Sequence, residues 1–233
     1  MTERERKKLL IVDDHPVFRA GIKSVLDRTP GIDVAAEAES ATEALRLLEK
    51  QSFDLVITDV SLEGKSGLEL TRDIRALYPK VPVLALSMHE ESLYAERALR
   101  AGALGYIMKK AGPAKLVEAV HQVLEGRIYL SPAMSQRLLF GAVRKESPGS
   151  GKSIALLTDR EFEVFQHFAD GKDGHQVASD LCLSIKTIDV HRANIRRKLD
   201  LKNAAELSSF AIRWRLSEGV DHEGSVSEGT SRS

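Results

Sequence analysis

The chain has 233 residues, enough for two ordinary domains, and its 42% apolar and 29% charged residues are typical of a soluble globular protein. Its 34 basic and 34 acidic residues cancel, so the total charge indicates no preference for nucleic acid or membrane. No apolar run is long enough to span a bilayer, the first residues are a charged stretch rather than a signal peptide, and a single cysteine excludes an internal disulfide. We therefore expect a cytoplasmic protein with no membrane partner.

The first half of the chain alternates short apolar runs with amphipathic stretches, which is the pattern of repeated βα units. We predict strands at residues 7–13, 32–36, 54–59, 81–87 and 104–108. We predict helices at residues 16–28, 41–50, 66–77, 90–101 and 113–125. The strand segments are apolar at successive positions, as expected of a parallel sheet covered on both faces. This half is therefore predicted to be an α/β domain.

Four of these strands lead into polar residues. Asp13 and Asp14 follow the first strand, Asp59 ends the third, Ser87 ends the fourth and Lys109 follows the fifth. Because the carboxyl ends of parallel strands converge on one crevice, we expect these side chains to meet. Three carboxylates, a hydroxyl and an ammonium are costly to gather unless a cation and an anion complete the site. The pattern therefore predicts a phosphorylation switch.

Mg²⁺ is the expected cation, because it prefers hard oxygen ligands. The predicted metal ligands are three carboxylates and one backbone carbonyl, namely Asp13, Asp14, Asp59 and Ser61 (backbone). Asp59, on the central third strand, is the predicted nucleophile toward a phosphoryl donor. Lys109 and Ser87 are predicted to hold phosphoryl oxygens.

The segments LLIVDDHPVFRAGI, DLVITDVSLEGKSGLEL, VLALSMHEE and AGALGYIMKKAGP resemble the receiver domain of bacterial two-component response regulators. The resemblance covers residues 7–125 and implies a flavodoxin-like α/β fold with a parallel five-stranded sheet in the order 2-1-3-4-5. It implies that a sensor histidine kinase phosphorylates Asp59, with Asp13 and Asp14 binding Mg²⁺ and Lys109 as the family's lysine.

The same resemblance assigns roles around the site. Ser87 and Tyr106 match the switch pair of the family, and Ser61 and His89 match positions that tune how long the phosphoryl group survives. Lys110 is a departure, because many relatives carry aspartate there. Its cation either strengthens the attraction for phosphate or faces solvent, and both alternatives stay open.

A polar stretch, RKESPGSGKS at residues 144–153, predicts a flexible linker. We place a receiver domain at residues 1–130, a linker at 131–153, a helical domain at 154–216 and a disordered tail at 217–233.

Residues 176–184 and 185–199 predict two helices joined by a tight turn. Apolar residues at helical spacing form their predicted core, namely Val177, Leu181, Leu183, Ile188, Ile195 and Leu199. Cys182 is expected to be a buried packing residue. The second helix carries basic residues against the single acid Asp189, namely Lys186, Arg192, Arg196, Arg197 and Lys198. This local positive charge favours phosphate binding.

The segments LTDREFEVFQHFADGK, LSIKTIDVHRANIRRKLDL and NAAELSSFAIRW resemble the LuxR-type DNA-binding domain of the NarL/FixJ class of response regulators. The resemblance covers residues 155–215 and implies a small all-α helix-turn-helix domain of four helices, with the third in the major groove. Asp189, Val190 and Ala193 match positions that reach base edges, where Asp189 could accept from a cytosine amino group and Val190 could contact a thymine methyl.

Other residues of that helix are predicted to contact phosphates, namely Lys186, Thr187, Arg192, Arg196 and Arg197. A departure occurs at Asp173-Gly174-His175, where Gly174 lowers helix propensity and predicts a somewhat less stable domain. In the last helix, Phe210 is predicted to pack in the core, and Trp214 either does the same or pairs two copies.

The preferred function is a phosphorylation-controlled transcription regulator with a histidine kinase and double-stranded DNA as partners, forming a homodimer on phosphorylation. We expect no enzymatic activity beyond slow self-dephosphorylation. A Mg²⁺-dependent aspartyl phosphatase would need a second acid just after its nucleophile, whereas Val60 and Ser61 follow Asp59. A phosphate-independent regulator is the other alternative, and the complete acidic set argues against it.

Overall fold

The computed structural model describes residues 6–144 and 154–220. The chain divides into two compact units, Met1–Glu146 and Ser147–Ser233, and each has its own buried core. Within the two described ranges, no helix combines the length and apolar character needed to cross a membrane.

The first unit contains a five-stranded sheet. Its strands are β1 (Lys7–Val12), β2 (Ile32–Ala38), β3 (Leu55–Asp59), β4 (Val83–Ser87) and β5 (Gly105–Met108). All neighbours pair in parallel, in the order β2-β1-β3-β4-β5. The predicted flavodoxin-like sheet order is therefore confirmed.

Five helices follow the strands: α1 (Pro16–Leu26), α2 (Ala41–Lys50), α3 (Gly67–Leu77), α4 (Glu91–Ala101) and α5 (Pro113–Leu124). Alternate strand residues enter different cores, because successive side chains of a strand point to opposite faces. Leu9 packs with residues of α1 and α5. Leu10 packs with residues of α2 and α3. Helices thus cover both faces, which explains the continuous apolar strand segments.

A sixth helix, α6 (Pro132–Arg144), occupies part of the segment predicted as a linker. The backbone N–H of Ser131 donates to Glu91 of α4 (2.8 Å), and Ser131 Oγ accepts from the N–H of Met134 (3.1 Å), which is buried. Just before it, the carbonyl of Tyr129 accepts from the N–H of Tyr106 on β5 (3.0 Å). Residues 132–144 are therefore helical and begin from an anchored segment, a structure that the sequence pattern did not predict. The rest of the predicted linker, 145–153, lies outside the described residues.

Residues 154–220 of the second unit contain four α-helices, as the family resemblance implied: α7 (Asp159–Ala169), α8 (Gly174–Asp180), α9 (Ile185–Lys198) and α10 (Ala204–Val220). Five of the six predicted core residues are buried, namely Val177, Leu181, Ile188, Ile195 and Leu199, and Leu183 is half-buried. Residues 217–220 of the predicted tail belong to α10, and 221–233 lie outside the described residues.

The aromatic residues of α10 pack within this unit. The ring centroid of Trp214 lies 5.9 Å from that of Phe162 and 5.2 Å from that of Phe165. Phe210 lies 6.0 Å from Phe165. Of the two roles left open for Trp214, packing within the domain is therefore the one observed.

The prediction for Cys182 is wrong, because its side chain is exposed. Cys182 occupies the turn between α8 and α9 with a φ of 50°, in the left-handed region. This uncommon backbone conformation leaves the Cys182 side chain exposed, although its neighbours Leu181 and Leu183 suggested a buried position.

Candidate functional site

The structure brings the strand-end residues of the first unit together at one edge of the sheet. Asp13 is fully buried and Asp59 is 2% exposed. The ammonium nitrogen of Lys109 lies 2.7 Å from Oδ2 of Asp13 and 2.7 Å from Oδ2 of Asp59. The Phe18 ring lies beneath this ammonium, with its centroid 4.5 Å away. One buried cation thus contacts two buried carboxylates.

His15 joins this cluster, and the sequence analysis missed it. Its Nδ1 lies 2.7 Å from Oδ1 of Asp14, 3.3 Å from Oδ1 of Asp13 and 3.9 Å from Oδ2 of Asp59. His15 is the residue before α1, which starts at Pro16, and this position turns its ring toward the acids. Its place directly after two aspartates was the signal available in the sequence.

The acidic cluster has the donor set of a cation site. One potential ligand atom from each of Asp13, Asp14, His15 and Asp59 lies within 4.8 Å of the others. Asp13 Oδ2 and Asp14 Oδ1 are shielded from solvent and accept no directional hydrogen bond from residues 6–144 or 154–220, although Lys109 and His15 lie at ionic distance. Buried carboxylate oxygens with unused acceptor capacity suit a hard divalent cation. These residues therefore fit Mg²⁺.

The loop after β3 supports two of the carboxylates through backbone N–H groups. Ser61 donates to Oδ1 of Asp59 (3.3 Å), and Glu63 donates to Oδ2 of Asp14 (2.9 Å). The predicted metal ligand Ser61 makes its contacts here with its backbone N–H and its hydroxyl. The hydroxyl lies 3.2 Å from Nε2 of His89.

Arg19 on α1 contacts the backbone just after β1 and two acids at the end of β2. Its Nη1 donates to the backbone carbonyl of Asp13 (2.5 Å), its Nη2 donates to Glu39 (2.9 Å), and its Nε lies 3.3 Å from Glu37. One guanidinium therefore connects the carboxyl ends of β1 and β2, a role for which the strand pattern gave no signal.

Gly67 allows α3 to start directly against the site. A Cβ at this position would overlap the carbonyl oxygen of Asp59. Ser66 and Glu69 form a reciprocal capping box at the same helix start. The sequence analysis did not single out this glycine.

Burial raises the pKa of Asp59 above its ordinary value. The Lys109 ammonium opposes this shift, and the neighbouring Asp13 adds to it. Since the desolvation cost exceeds the help from Lys109, ionising Asp59 costs more than ionising an exposed carboxyl. The site therefore carries negative charge that its own residues do not fully offset.

His89 connects the predicted switch residues. Its N–H donates to Oγ of the buried Ser87 (3.0 Å), and its carbonyl accepts from the hydroxyl of Tyr106 (2.9 Å). Its ring stacks on Tyr94 of α4 with centroids 4.6 Å apart. Burial raises the pKa of Tyr106, so its hydroxyl remains a neutral donor. His89 thus links Ser87 at the end of β4 to Tyr106 of β5 and Tyr94 of α4.

Lys110 points away from the acids. Its ammonium lies 2.6 Å from Glu90, and its side chain is 61% exposed. Of the two alternatives that the sequence left open, the structure places this cation at the solvent-exposed surface beside Glu90.

The second candidate site is the outward face of α9. Its inward residues Ile188 and Ile195 are buried. Five predicted DNA-contacting residues are exposed at helical spacing, namely Lys186, Asp189, Val190, Ala193 and Arg197. Val190, an apolar residue of this face, is 54% exposed.

The other three predicted contacts are half-buried. The Thr187 hydroxyl lies 2.8 Å from that of Ser184, the N-cap of α9. The Arg192 guanidinium lies over the Phe168 ring, 5.1 Å from its centroid. Arg196 has a buried Nε without a hydrogen-bond partner among the described residues. The domain itself therefore partly holds Thr187 and Arg192, whereas Arg196 is only partly buried.

Two family comparisons divide the chain where the structure does. Residues 9–121 match the family described as response regulator receiver domain. Residues 155–211 match the family described as bacterial regulatory proteins, luxR family.

Relatives align over most of both chains. The transcriptional regulatory protein DegU of Brevibacillus brevis is 33% identical over 88% of this chain and 93% of its own. The response regulator GacA of Pseudomonas syringae pv. syringae is 35% identical over 88% and 95%, and UvrY of Escherichia coli K12 is 32% identical over 89% and 94%.

Solved structures give the same result. A LuxR-family two-component response regulator from Aurantimonas sp. SI85-9A1 is 39% identical with a TM-score of 0.55, covering 59% of this chain and 99% of that one. RcsB from Salmonella enterica serovar Typhimurium, bound to promoter rprA with the phosphomimetic BeF3−, is 26% identical with a TM-score of 0.58, covering 88% of this chain and 98% of that one.

Proposed function

The chain belongs to the two-component response regulators that join a receiver domain to a LuxR-type DNA-binding domain, and from this membership we propose that Asp59 is its phosphoacceptor. The observation that carries the proposal is the buried Asp59 carboxylate, 2.7 Å from the Lys109 ammonium and surrounded by Asp13, Asp14 and His15. A nucleophile in such a site has a preset position and a partner for the incoming charge.

The donor is a sensor histidine kinase. A carboxylate oxygen of Asp59 attacks the phosphorus of the kinase phosphohistidine, the P–N bond breaks as the P–O bond forms, and the released imidazole keeps the electron pair. Asp13, Asp14 and Asp59, with the backbone carbonyl of Ser61, would hold Mg²⁺, and the bound ion would offset the charge on the transferring oxygens. Lys109 moves from its carboxylate contacts to a phosphoryl oxygen, and Ser87 donates to another.

Phosphorylation then acts on the hydrogen bonds of His89. Ser87 Oγ leaves the N–H of His89 for the phosphoryl group, and the Tyr106 hydroxyl changes its contact with the His89 carbonyl. Converting a mostly inactive population into a mostly active one requires a preference of about 5.5 kcal/mol. Slow self-dephosphorylation returns the chain to its resting state.

The output is sequence-specific DNA binding through α9. Asp189, Val190 and Ala193 lie on the exposed face and read base edges. The predicted phosphate contacts are Lys186, Thr187, Arg192, Arg196 and Arg197. The RcsB structure on promoter rprA, a relative with the same architecture, supports this use of the domain.

Phosphorylation favours a homodimer, as the symmetry of most regulator–operator complexes suggests. Since a DNA-binding regulator acts where the DNA is, the proposed location is the cytoplasm.

The experiment is labelling with radioactive acetyl phosphate and Mg²⁺, followed by binding to randomised DNA with and without the donor. We expect Asp59→Asn to abolish labelling and to remove the phosphate-dependent increase in DNA binding. Asp33→Asn, a carboxylate outside the site, is the control and should label normally. Undiminished labelling of Asp59→Asn would overturn the assignment.

The alternatives have their own readouts in the same experiment. Equal DNA binding by wild type and Asp59→Asn, with and without acetyl phosphate, would support a phosphate-independent regulator. Repeated turnover of an external phosphate ester would support an aspartyl phosphatase.

A further inference from the structure

Arg192 of α9 lies in a seat formed by two residues of the second unit: Phe168 and Gly174. The guanidinium carbon lies 5.1 Å from the centroid of the Phe168 ring. The Arg192 side chain is only 28% exposed, although the next residue of α9, Ala193, is exposed. Stacking on an aromatic ring is a favourable, planar contact for arginine that lysine does not reproduce.

Gly174 is what leaves room for this seat. A Cβ at position 174 would overlap Nη2 of Arg192, and it would lie 3.3 Å from Cδ1 of Ile185. Gly174 is the first residue of α8, where glycine costs helix stability relative to alanine. Gly174, which disfavours helix, thus stands where the Arg192 side chain of α9 approaches α8 closely.

The free end of the seated guanidinium reaches Asp189. Nη1 of Arg192 lies 3.4 Å from Oδ1 of Asp189, one helical turn earlier on α9. The Asp189 side chain is 59% exposed on the face that also carries Val190 and Ala193. An acid on this face is repelled by DNA phosphates and benefits from a neighbouring cation. An isolated exposed ion pair orients a side chain weakly, whereas a guanidinium already held by a ring offers a set position.

We propose that Arg192 is a positioning residue for sequence readout: seated on Phe168 in the space left by Gly174, it directs Asp189 toward the amino group of a cytosine. This inference rests on the proposed DNA-binding function. It removes Arg192 from the predicted phosphate contacts, because an arginine in this seat presents its charge to Asp189.

The two roles of Arg192 predict different results. A residue that contacts phosphate adds affinity for every sequence, and its loss lowers the slope of log K against log salt concentration by about 0.9. A residue that positions Asp189 adds preference at one base pair and leaves that slope unchanged. Salt dependence and base preference therefore separate the hypotheses in one set of measurements.

The test uses the full-length chain treated with acetyl phosphate and Mg²⁺. Selection from a randomised DNA library gives the preferred site, and fluorescence anisotropy on that site and its single-base variants gives affinities over a range of salt. The variants are Asp189→Ala, Arg192→Gln, the double variant and Gly174→Ala. Ser179→Ala, an exposed change on α8, is the control for altered helix propensity.

We expect Asp189→Ala and Arg192→Gln to lose preference at the same base pair by about 10-fold, and the double variant to lose no more than either. Gly174→Ala keeps every DNA-facing side chain but displaces Arg192, so it should show the same loss. Ser179→Ala should match wild type. Because Gly174→Ala retains the arginine, it tests the proposal even if Arg192→Gln folds poorly.

A uniform loss of affinity with a lower salt slope in Arg192→Gln would overturn the inference and restore a phosphate contact. Wild-type preference in Gly174→Ala would overturn it as well. Failure of the wild-type chain to select any sequence would count against the proposed DNA readout itself, which is a different result.

Discussion

At the scale of single residues, the acidic cluster shows how a buried charge becomes a binding site. Asp59 has lost most of its hydration, and one ammonium at 2.7 Å does not compensate for both the burial and the adjacent Asp13. The folded chain therefore gains whenever this charge is neutralised by a proton or a divalent cation. A phosphoryl group adds negative charge, so it needs the same cation and the Lys109 ammonium to offset it. The instability of the resting site is what gives it affinity for its ligands.

This imbalance predicts that Asp59→Asn stabilises the receiver unit at neutral pH without Mg²⁺, by an amount on the order of 1 kcal/mol. Because the folded pKa is raised above the ordinary value of 3.8, the folded chain holds this proton more tightly than the unfolded chain. The cost is absent below that value and appears as the pH rises through the raised pKa. The difference in the free energy of unfolding between Asp59→Asn and wild type should therefore grow as the pH rises from 3.8 through the raised pKa.

Hydrogen exchange of peptides from β1 and β3 measures this gap for the receiver unit alone. Mg²⁺ should close it, since the wild type gains a ligand that the variant binds less well. Asp33→Asn should show neither effect. A variant less stable than wild type at pH 7, or a gap that ignores pH, would contradict this account of the site.

At the scale of elements, the strand ends could be predicted because two simple patterns agree. Continuous apolar runs predict buried parallel strands, and parallel strands place their carboxyl ends together, so Asp13, Asp59 and Lys109 could be brought to one edge from the sequence alone. Contacts that depend on exact backbone position could not. The Arg19 link and the close approach at Gly67 follow from distances between elements, which no periodicity encodes.

Helix α6 and the turn at Cys182 show the same limit. In α6, Met134 is buried while Leu139 and Phe140 are each 68% exposed, so its apolar residues give no single stripe to recognise. At Cys182, the left-handed φ of 50° reverses the direction expected from an apolar sequence. Local propensity fails where tertiary contacts or an uncommon backbone angle decide the outcome.

Glu161 links two elements of the DNA-binding unit. It closes a capping box with Thr158 at the start of α7, and its carboxylate lies 2.6 Å from Lys198 at the end of α9. Burial opposes ionisation, but Lys198 and the Thr158 contacts outweigh it and hold the pKa of Glu161 below its usual range. The last turn of the recognition helix is thereby tied to the first turn of α7.

We expect Glu161→Gln to destabilise this unit by about 1 kcal/mol at pH 7, because glutamine can keep the cap but not the ion pair. Glu161→Ala loses both contacts and should cost about 2 kcal/mol. Since a depressed pKa stabilises above the ordinary value of 4.5 and this gain is lost as the pH falls through the folded pKa, the effect of Glu161→Gln should shrink in acid.

Urea unfolding followed by Trp214 fluorescence measures this prediction, because the chain has one tryptophan and it packs on Phe162 and Phe165. Asp200→Asn, an exposed change in the turn after α9, serves as the control. Equal stability of Glu161→Gln and wild type at pH 7 would show that Lys198 contributes no net stabilisation.

At the scale of the whole molecule, a net charge of zero conceals two regions of opposite local charge. The receiver unit concentrates acids at one sheet edge, where they need cations, and α9 concentrates basic residues, where they need anions. In the proposed function, a phosphoryl group therefore acts on the receiver unit while α9 binds DNA. The proposed phosphorylation-dependent dimer would double the basic surface without changing any residue.

A symmetric dimer makes a geometric prediction about its operator. Two copies of α9 related by a two-fold axis enter the major groove at half-sites about 10 base pairs apart or at a multiple of that spacing. Inserting 5 base pairs between the half-sites of a selected operator turns one half-site to the opposite side of the duplex. Inserting 10 restores its orientation.

We therefore expect the 5-base-pair insertion to weaken binding of the phosphorylated chain by at least about 10-fold, because simultaneous contact is lost, and the 10-base-pair insertion to weaken it less. Asp59→Asn should bind all three operators with similar, low affinity, since it lacks the signal to dimerise. Gel-shift titrations, with sedimentation to measure the dimer, test both expectations. Equal binding of the phosphorylated chain to all three operators would show that each copy reads DNA independently, and the symmetric dimer would then have no role in recognition.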